Sequence, residues 1–292
     1  MKISIIITLF NRKKLISRAL DSCLALNLPK DNYEIIIIDD GSTDNPLSLL
    51  SSYIEHSFIR YYFQNNQGAA AAKNAGAQHA NGEYIIFLDS DDYFYDKDCF
   101  TELLPLLDEK PDLVYSEKII LLKKYGIEEI TTPLGDENIF EYLLRYPLNY
   151  PGKPSYIFNK SKFLTINGFN IEHKWGDALL FWRVYLTETS KTLKLKKINY
   201  VYDQSSDEGV SRSRDKNYYS RVFKTIYDTY LVLYVKLKEK KYTQNWAIVL
   251  LYLAFRSKEY IIFLKLGLYL LKSPVLTSKS LIFLYKKRKN RG

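Results

Sequence analysis

Residues 33–44 read YEIIIIDDGSTD. Four consecutive isoleucines, Ile35 to Ile38, leave no polar face, so this stretch is a strand covered on both sides, the condition met in parallel sheets. The apolar run stops at Asp39 and Asp40 and passes into a polar, glycine-containing turn. The same alternation repeats outward in both directions. Before it stand KISIIIT and the helix-like RKKLISRALDSCLAL; after it come a polar helix, FIRYYF, the helix-like GAAAAKNAGAQHA and EYIIFLD. Repeated strand–helix units from Lys2 to about Leu107 predict an α/β fold, a doubly wound and mostly parallel sheet flanked by helices.

Open sheets of this kind bind ligands beyond the carboxyl ends of their strands. Polar residues cluster there: Thr8, Phe10 and Asn11 after the first strand, Asp39 and Asp40 after the second, and Asp89, Ser90, Asp91 and Asp92 after the fourth. Asp89 and Asp91 stand two residues apart. Hard cations such as Mg²⁺ and Mn²⁺ take oxygen ligands, and one shared with a diphosphate needs only one or two protein carboxylates. An aspartate capping the next helix would leave the same letters. The DDGSTD segment likewise reads either as a turn or as an acceptor, Asp40, for a nucleobase edge. Residues 65–76, NNQGAAAAKNAG, offer close backbone approach and a cation, Lys73, for an anionic ligand, or a helix packed under the sheet. In WGDALLFWR, Asp177 opens a helix with Arg183 six residues on; it is a cap or a general base.

The remaining chain bounds these options. A length of 292 residues accommodates one large domain and an appendage. Cys23 and Cys99 both fall in expected helices, far apart in sequence, so neither a disulfide framework nor a CxxC metal site is suggested, and a reducing compartment fits. The apolar run in MKISIIITLFNR, about seven residues, is shorter than a signal peptide requires and reads as a strand. Arg256, Lys258, Glu259, Lys265 and Lys272 interrupt the most apolar stretch, so no segment reaches the roughly 18 residues of a spanning helix. Charge is unevenly spread. Residues 212–292 hold 19 Lys and Arg against 4 Asp and Glu, a balance of +15, leaving −6 for the rest of a chain whose total is +9. Residues 216–292 therefore read as a basic, aromatic-rich helical extension, with Trp246 and a final KKRKNRG, suited to an anionic membrane surface. The alternative is that these helices pack on the preceding domain. No nucleic-acid recognition motif accompanies the charge.

Taken in order, SIIITLFNR, DDGSTD, NQGAAAAKNAG, GEYIIFLDSDD, the pair Gly168–Phe169, and the later acidic GD followed by Arg183 resemble the family-2 inverting glycosyltransferases of GT-A fold. The likeness spans roughly residues 2–214. It implies that Thr8, Phe10 and Asn11 line a base and ribose pocket, that Asp40 holds the base, and that Lys73 meets the donor. Asp89 would reach the ribose or a metal, Asp91 would ligate Mn²⁺ or Mg²⁺ bridging the donor phosphates, and Asp177 would be the catalytic base. Ser211 and Arg212, in a loop resembling one that closes over the donor, would meet phosphate oxygens. Lys73 stands where many relatives have arginine, Gly176 where glutamate is common, and residues 203–214, DQSSDEGVSRSR, lack a histidine that some relatives carry.

The implied organisation is a catalytic domain over residues 1–215, with a nucleotide-binding half to about 110 and an acceptor half after it, followed by the extension. The implied reaction moves one sugar from a nucleotide-sugar, UDP by default, to a hydroxyl of a glycan or lipid-linked oligosaccharide in surface polysaccharide biosynthesis, such as a capsule or O-antigen. The expected place is the cytoplasmic inner face of the cell membrane, held peripherally. Polymerising relatives carry spanning helices and a QxxRW motif; neither is found, which points to single-sugar transfer. A sugar nucleotidyltransferase is the rival enzyme, but the first strand leads into TLFNRKK and not into a glycine-rich phosphate loop. No GxGxxG follows that strand, which disfavours a dinucleotide oxidoreductase. A non-catalytic membrane scaffold is the third reading.

Overall fold

A computed structural model describes residues 1–116, 118–131, 139–145, 156–171, 185, 189–196, 200–205, 218–239 and 242–257. The expected alternation is realised as β1 (Ile3–Leu9), α1 (Lys13–Leu24), β2 (Tyr33–Asp40), α2 (Leu47–Ile54), β3 (Ile59–Gln64), α3 (Ala69–His79) and β4 (Tyr84–Asp89). β1 lies between β2 and β4 and runs parallel to both, and β3 extends the parallel array beyond β2. After a short β5 (Tyr93–Phe94) and α4 (Leu103–Asp108), the sheet is completed by β6 (Leu113–Ser116), an antiparallel β9 (Tyr156–Asn159) and β10 (Thr192–Leu195), in the order β10-β6-β9-β4-β1-β2-β3. The excursion near residue 118 is a hairpin, β7 (Lys118–Lys123) and β8 (Gly126–Thr131). It joins β5 and β11 (Tyr200–Gln204) in a second, four-stranded sheet.

Every residue of β1 and β2 is buried, and alternate side chains serve opposite faces. Ile5, Ile7, Ile35 and Ile37 pack with Ile16, Leu20 and Cys23 of α1; Ile6, Ile36 and Ile38 pack with Ala72 and Ala77 of α3. Each such isoleucine contributes about 1.5–3 kcal/mol relative to exposure, so the uninterrupted run is what holds the layers together. The small residues of α3 set its distance from the sheet: a Cβ at Gly76 would overlap the Ile6 side chain. The packed-helix reading of NNQGAAAAKNAG is thus correct for one face of that helix, without cost to a role for the other.

The basic extension begins with two helices, α7 (Tyr218–Glu239) and α8 (Thr243–Arg256), which follow α5 (Ile139–Arg145) and α6 (Lys160–Thr165) in the chain. Phe223, Ile226, Leu233, Trp246 and Leu250 are buried in the same core as Ile6 and Ile36. The Trp246 indole N–H donates to the Leu144 carbonyl at 2.7 Å, and the Tyr242 hydroxyl donates to Glu141 at 3.1 Å. For residues 218–256 the packing alternative therefore holds. Residues 258–292, with the final KKRKNRG, lie outside the described residues. Among those described, no helix is long and apolar enough to cross a membrane. Cys99 corrects an expectation: it sits in a turn after β5 and not in a helix, because the chain there folds back under α1. Both cysteines are unbridged, in one core, with burial pushing the Cys99 thiol up to about 12 and that of Cys23 higher still.

Candidate active site

Parallel pairing on both sides of β1 sets the register at the sheet's carboxyl edge. Thr8 faces Ile38 on one side and Asp89 on the other, and Leu9 faces Asp39. The chain leaves β1 through Asn11 at φ +51°, a left-handed conformation that asparagine tolerates better than most residues. The Asn11 side-chain oxygen accepts from the Thr43 backbone N–H at 2.8 Å and its hydroxyl at 3.1 Å. The loop after β1 and the turn after β2 are thereby locked into one floor. Phe10, 46% exposed, stands at its rim, and Thr8 is nearly buried behind it.

In the turn after β2 the carboxylates are turned inward. Asp39 accepts from the Ser42 N–H at 2.8 Å and the Tyr61 hydroxyl at 2.7 Å. Asp40, 3% exposed, accepts from Gln64 Nε2 at 2.7 Å, Gln67 N–H at 2.9 Å and Gly68 N–H at 2.8 Å. These three bonds use three of roughly four acceptor directions of a carboxylate and pin the entry to α3, where Gly68 has φ +93°. Asp44 accepts from the Lys13 N–H at the start of α1, at 2.9 Å. Gly41 is obligatory here: at φ +81°, an added Cβ would sit 2.8 Å from the Asn66 nitrogen.

The turn after β4 is built differently. Asp89 and Asp91 are part-exposed, their side chains at 31% and 20%, and each meets a cation. Lys73 Nζ lies 2.7 Å from Asp89, and the Arg12 guanidinium is in contact with Asp91. Arg18 donates to the Asp91 backbone carbonyl at 2.7 Å, pairs with Asp203 and covers the Tyr93 ring at 4.4 Å. Asp92 is fully buried, accepting from the Tyr200 hydroxyl and, at 2.9 Å, from the Asp203 N–H. It ties the turn to β11. Burial and the neighbouring Asp92 hold the Tyr200 phenol well above its usual pKa. Burial alone would raise Asp203, but hydrogen bonds at Ser205 and the Arg18 charge outweigh it and leave that carboxyl below the usual range.

One oxygen each from Asp89, Asp91 and Asp92 lies within 4.8 Å of the others. Because the Asp92 oxygens already serve Tyr200 and the Asp203 backbone, a cation shared with a diphosphate would draw on Asp89 and Asp91, and that hard-oxygen pair fits Mg²⁺ or Mn²⁺. The edge thus gathers Thr8, Phe10, Asn11, Asp40, Lys73, Asp89 and Asp91. Asp177, Ser211 and Arg212 lie outside the described residues. The approach to Asp177 is visible up to Ile171: the Asn74 amide, next to Lys73, accepts from the Phe169 N–H at 2.8 Å and donates to its carbonyl at 2.7 Å. Gly168, at φ +65°, makes room for that clasp.

Sequence reasoning assigned no role to Arg12, Arg18, Asp203 or Asn74. Arg12 follows the first strand's polar end directly, the one signal that could have found it. For the others, no letter pattern indicates a partner 73 to 185 residues away.

Three comparisons frame this site. The model of "Glycosyl transferase family 2" matches residues 4–134. Poly(ribitol-phosphate) beta-glucosyltransferase of Bacillus spizizenii is 45% identical over 96 residues, 32% of this chain and 15% of that protein. The chain spans about a quarter or less of the length of the first curated relatives it matches. Among solved structures, S. aureus TarS 1–349 in complex with UDP-GlcNAc superposes with a TM-score of 0.68 at 22% identity, over 88% of this chain and 73% of that one. GalNAc-T7 with UDP, GalNAc and Mn²⁺ gives 0.60 at 15% identity, over 85% and 51%. At these identities the structural likeness establishes the fold, a mostly parallel α/β sheet of GT-A type, and the chemistry must be argued from the site.

Proposed function

We infer that this chain, whose residues 4–134 match the family 2 glycosyltransferase model, moves one sugar from a nucleotide-sugar to a hydroxyl of a glycan or lipid-linked glycan, with inversion and with UDP as the leaving group. The observation that carries this reading is the pair Asp89 and Asp91, part-exposed at the switch point of the sheet and each beside a cation. Phe10, exposed beside the floor made by Asn11 and Thr43, supplies a face for a base. Asp40 retains about one acceptor direction for a base N–H, and Thr8 and Asn11 border the ribose.

Asp91, with Asp89, would hold Mn²⁺ or Mg²⁺; when bound, such an ion offsets charge developing on the departing diphosphate. Lys73, and Ser211 and Arg212 from the segment that follows β11, add positive charge and donors to the same phosphates. Asp177, eight residues beyond the clasped Phe169, takes the proton of the attacking hydroxyl as the acceptor oxygen approaches from the face opposite the diphosphate. The protein's part is alignment and fixed charge.

Residues 1–215 form the catalytic part, with the donor half to about 110 and the acceptor half after it. The basic stretch 258–292 of the extension, which follows the helices packed into the core, keeps the enzyme at the cytoplasmic face of an anionic membrane, beside lipid-linked acceptors of surface polysaccharide synthesis. A screen of nucleotide-sugars with Mn²⁺ or Mg²⁺, following nucleotide release with and without lipid-linked acceptors, tests the reaction. Asp177→Asn should spare donor binding and abolish transfer, and Asp91→Ala should weaken metal-dependent donor binding. Wild-type transfer by both variants would rule the assignment out.

A further inference from the structure

The two carboxylates offered to a metal are already taken. Arg12 sits on Asp91 and Lys73 on Asp89, with side chains only 19% and 22% exposed. Neither cation arrives by chance. Arg12 is the residue at which α1 begins, and its own carbonyl accepts the Leu15 and Ile16 N–H groups of the first turn. Lys73 rides on α3, whose distance from the sheet is set by Gly76 and whose entry is pinned by Asp40. A divalent ion taking these oxygens must displace two half-buried cations, and a charge left unpaired in a half-buried place is costly. The displaced guanidinium and ammonium need another anion. The diphosphate of the donor provides one at the same edge, with pairs of phosphate oxygens that the planar guanidinium fork can meet bidentately.

We propose that Arg12, with Lys73, is a built-in counter-ion of this site: it pairs with Asp91 before the donor binds and passes to the donor diphosphate when metal and nucleotide bind together. The inference rests on the glycosyltransferase reading and adds to it a role for Arg12 and a coupling between metal and nucleotide. Metal alone binds weakly because Arg12 and Lys73 would be stranded. Nucleotide and metal bind with positive coupling, because each supplies what the other's arrival requires. By linkage the coupling is reciprocal.

The test is a Mn²⁺ titration of the full chain by electron paramagnetic resonance, with and without UDP. In the wild type, UDP should tighten Mn²⁺ binding at least about tenfold, within the usual span of coupling. Arg12→Gln should bind Mn²⁺ alone several-fold more tightly than wild type and lose most of the coupling, whereas Arg12→Lys should retain it. Asp91→Asn should lose Mn²⁺ in both conditions, locating the ion. Lys73→Gln repeats the measurement at Asp89 should Arg12→Gln fail to fold. Mn²⁺ affinity no tighter in a folded Arg12→Gln than in wild type, beside intact UDP binding, overturns this inference alone. Absence of UDP binding to the wild type in the presence of Mn²⁺ overturns the donor reading and the coupling with it.

Discussion

The turn after β2 and the turn after β4 begin alike: a buried apolar strand, then a run of aspartates at the same edge of the sheet. After β2, Asp39, Asp40 and Asp44 accept chiefly from backbone N–H groups, at Ser42, Gln67, Gly68 and Lys13. After β4, Asp89 and Asp91 meet the ends of two long cationic side chains. A backbone amide cannot leave without unfolding its loop, so the first set of carboxylates cannot exchange these partners. A lysine or arginine can swing away, so the second set can exchange partners. Asp92 shows that the distinction follows the donor and not the turn, since in the second turn it too is buried and held by a backbone N–H.

The largest expected effect separates the two turns by activity. Asp91→Ala should lower sugar transfer on the order of a thousandfold, about 4 kcal/mol in barrier, while urea denaturation should show a smaller loss of stability than Asp40→Ala. Asp40→Ala should do the reverse for the fold. Removing the acceptor of three donors, two of them backbone, should destabilise the protein by about 3 kcal/mol in the same urea experiment. Were Asp91→Ala the less stable of the two, the comparison would be broken.

Alkali probes both turns through their phenols. Tyr61 donates to Asp39 and Tyr200 to Asp92, and burial foremost, then the adjacent carboxylates, raises both pKa values. A folded pKa raised above the unfolded value of about 10 means that the contribution is complete below pH 10 and is lost as pH rises through the folded values. The urea midpoint should therefore fall at increasing pH beyond about 10, and less steeply in Tyr61→Phe and Tyr200→Phe. The smallest effect belongs to Arg18. Its pair with Asp203 is 40% exposed on the arginine side, so Arg18→Gln should cost under about 1 kcal/mol. Because the Asp203 pKa is depressed when folded, the wild-type contribution is present above about pH 4 and disappears as pH falls through the folded value, which an acid titration of the midpoint in both proteins would show.

Much of this was legible beforehand. The letters YEIIIIDD coincide with β2 from Tyr33 to Asp40, because a run with no polar face can only be buried on both sides. The polar residues after each strand did collect at one edge, since parallel strands all point their carboxyl ends the same way. The difference between Asp40 and Asp91 was not legible. Both are aspartates after an isoleucine- or leucine-rich strand, and what separates them is a donor 27 or 28 residues downstream in one case and one 79 residues upstream in the other.

The sequence by itself determined the layered parallel sheet and the edge at which chemistry is possible, because burial of apolar runs is a local property of the chain summed over its length. Only the tertiary structure decided which carboxylates remain exchangeable. That choice depends on whether the nearest donor is a fixed amide or a movable cation, and folding alone brings that donor within three ångströms or so, the reach of a hydrogen bond.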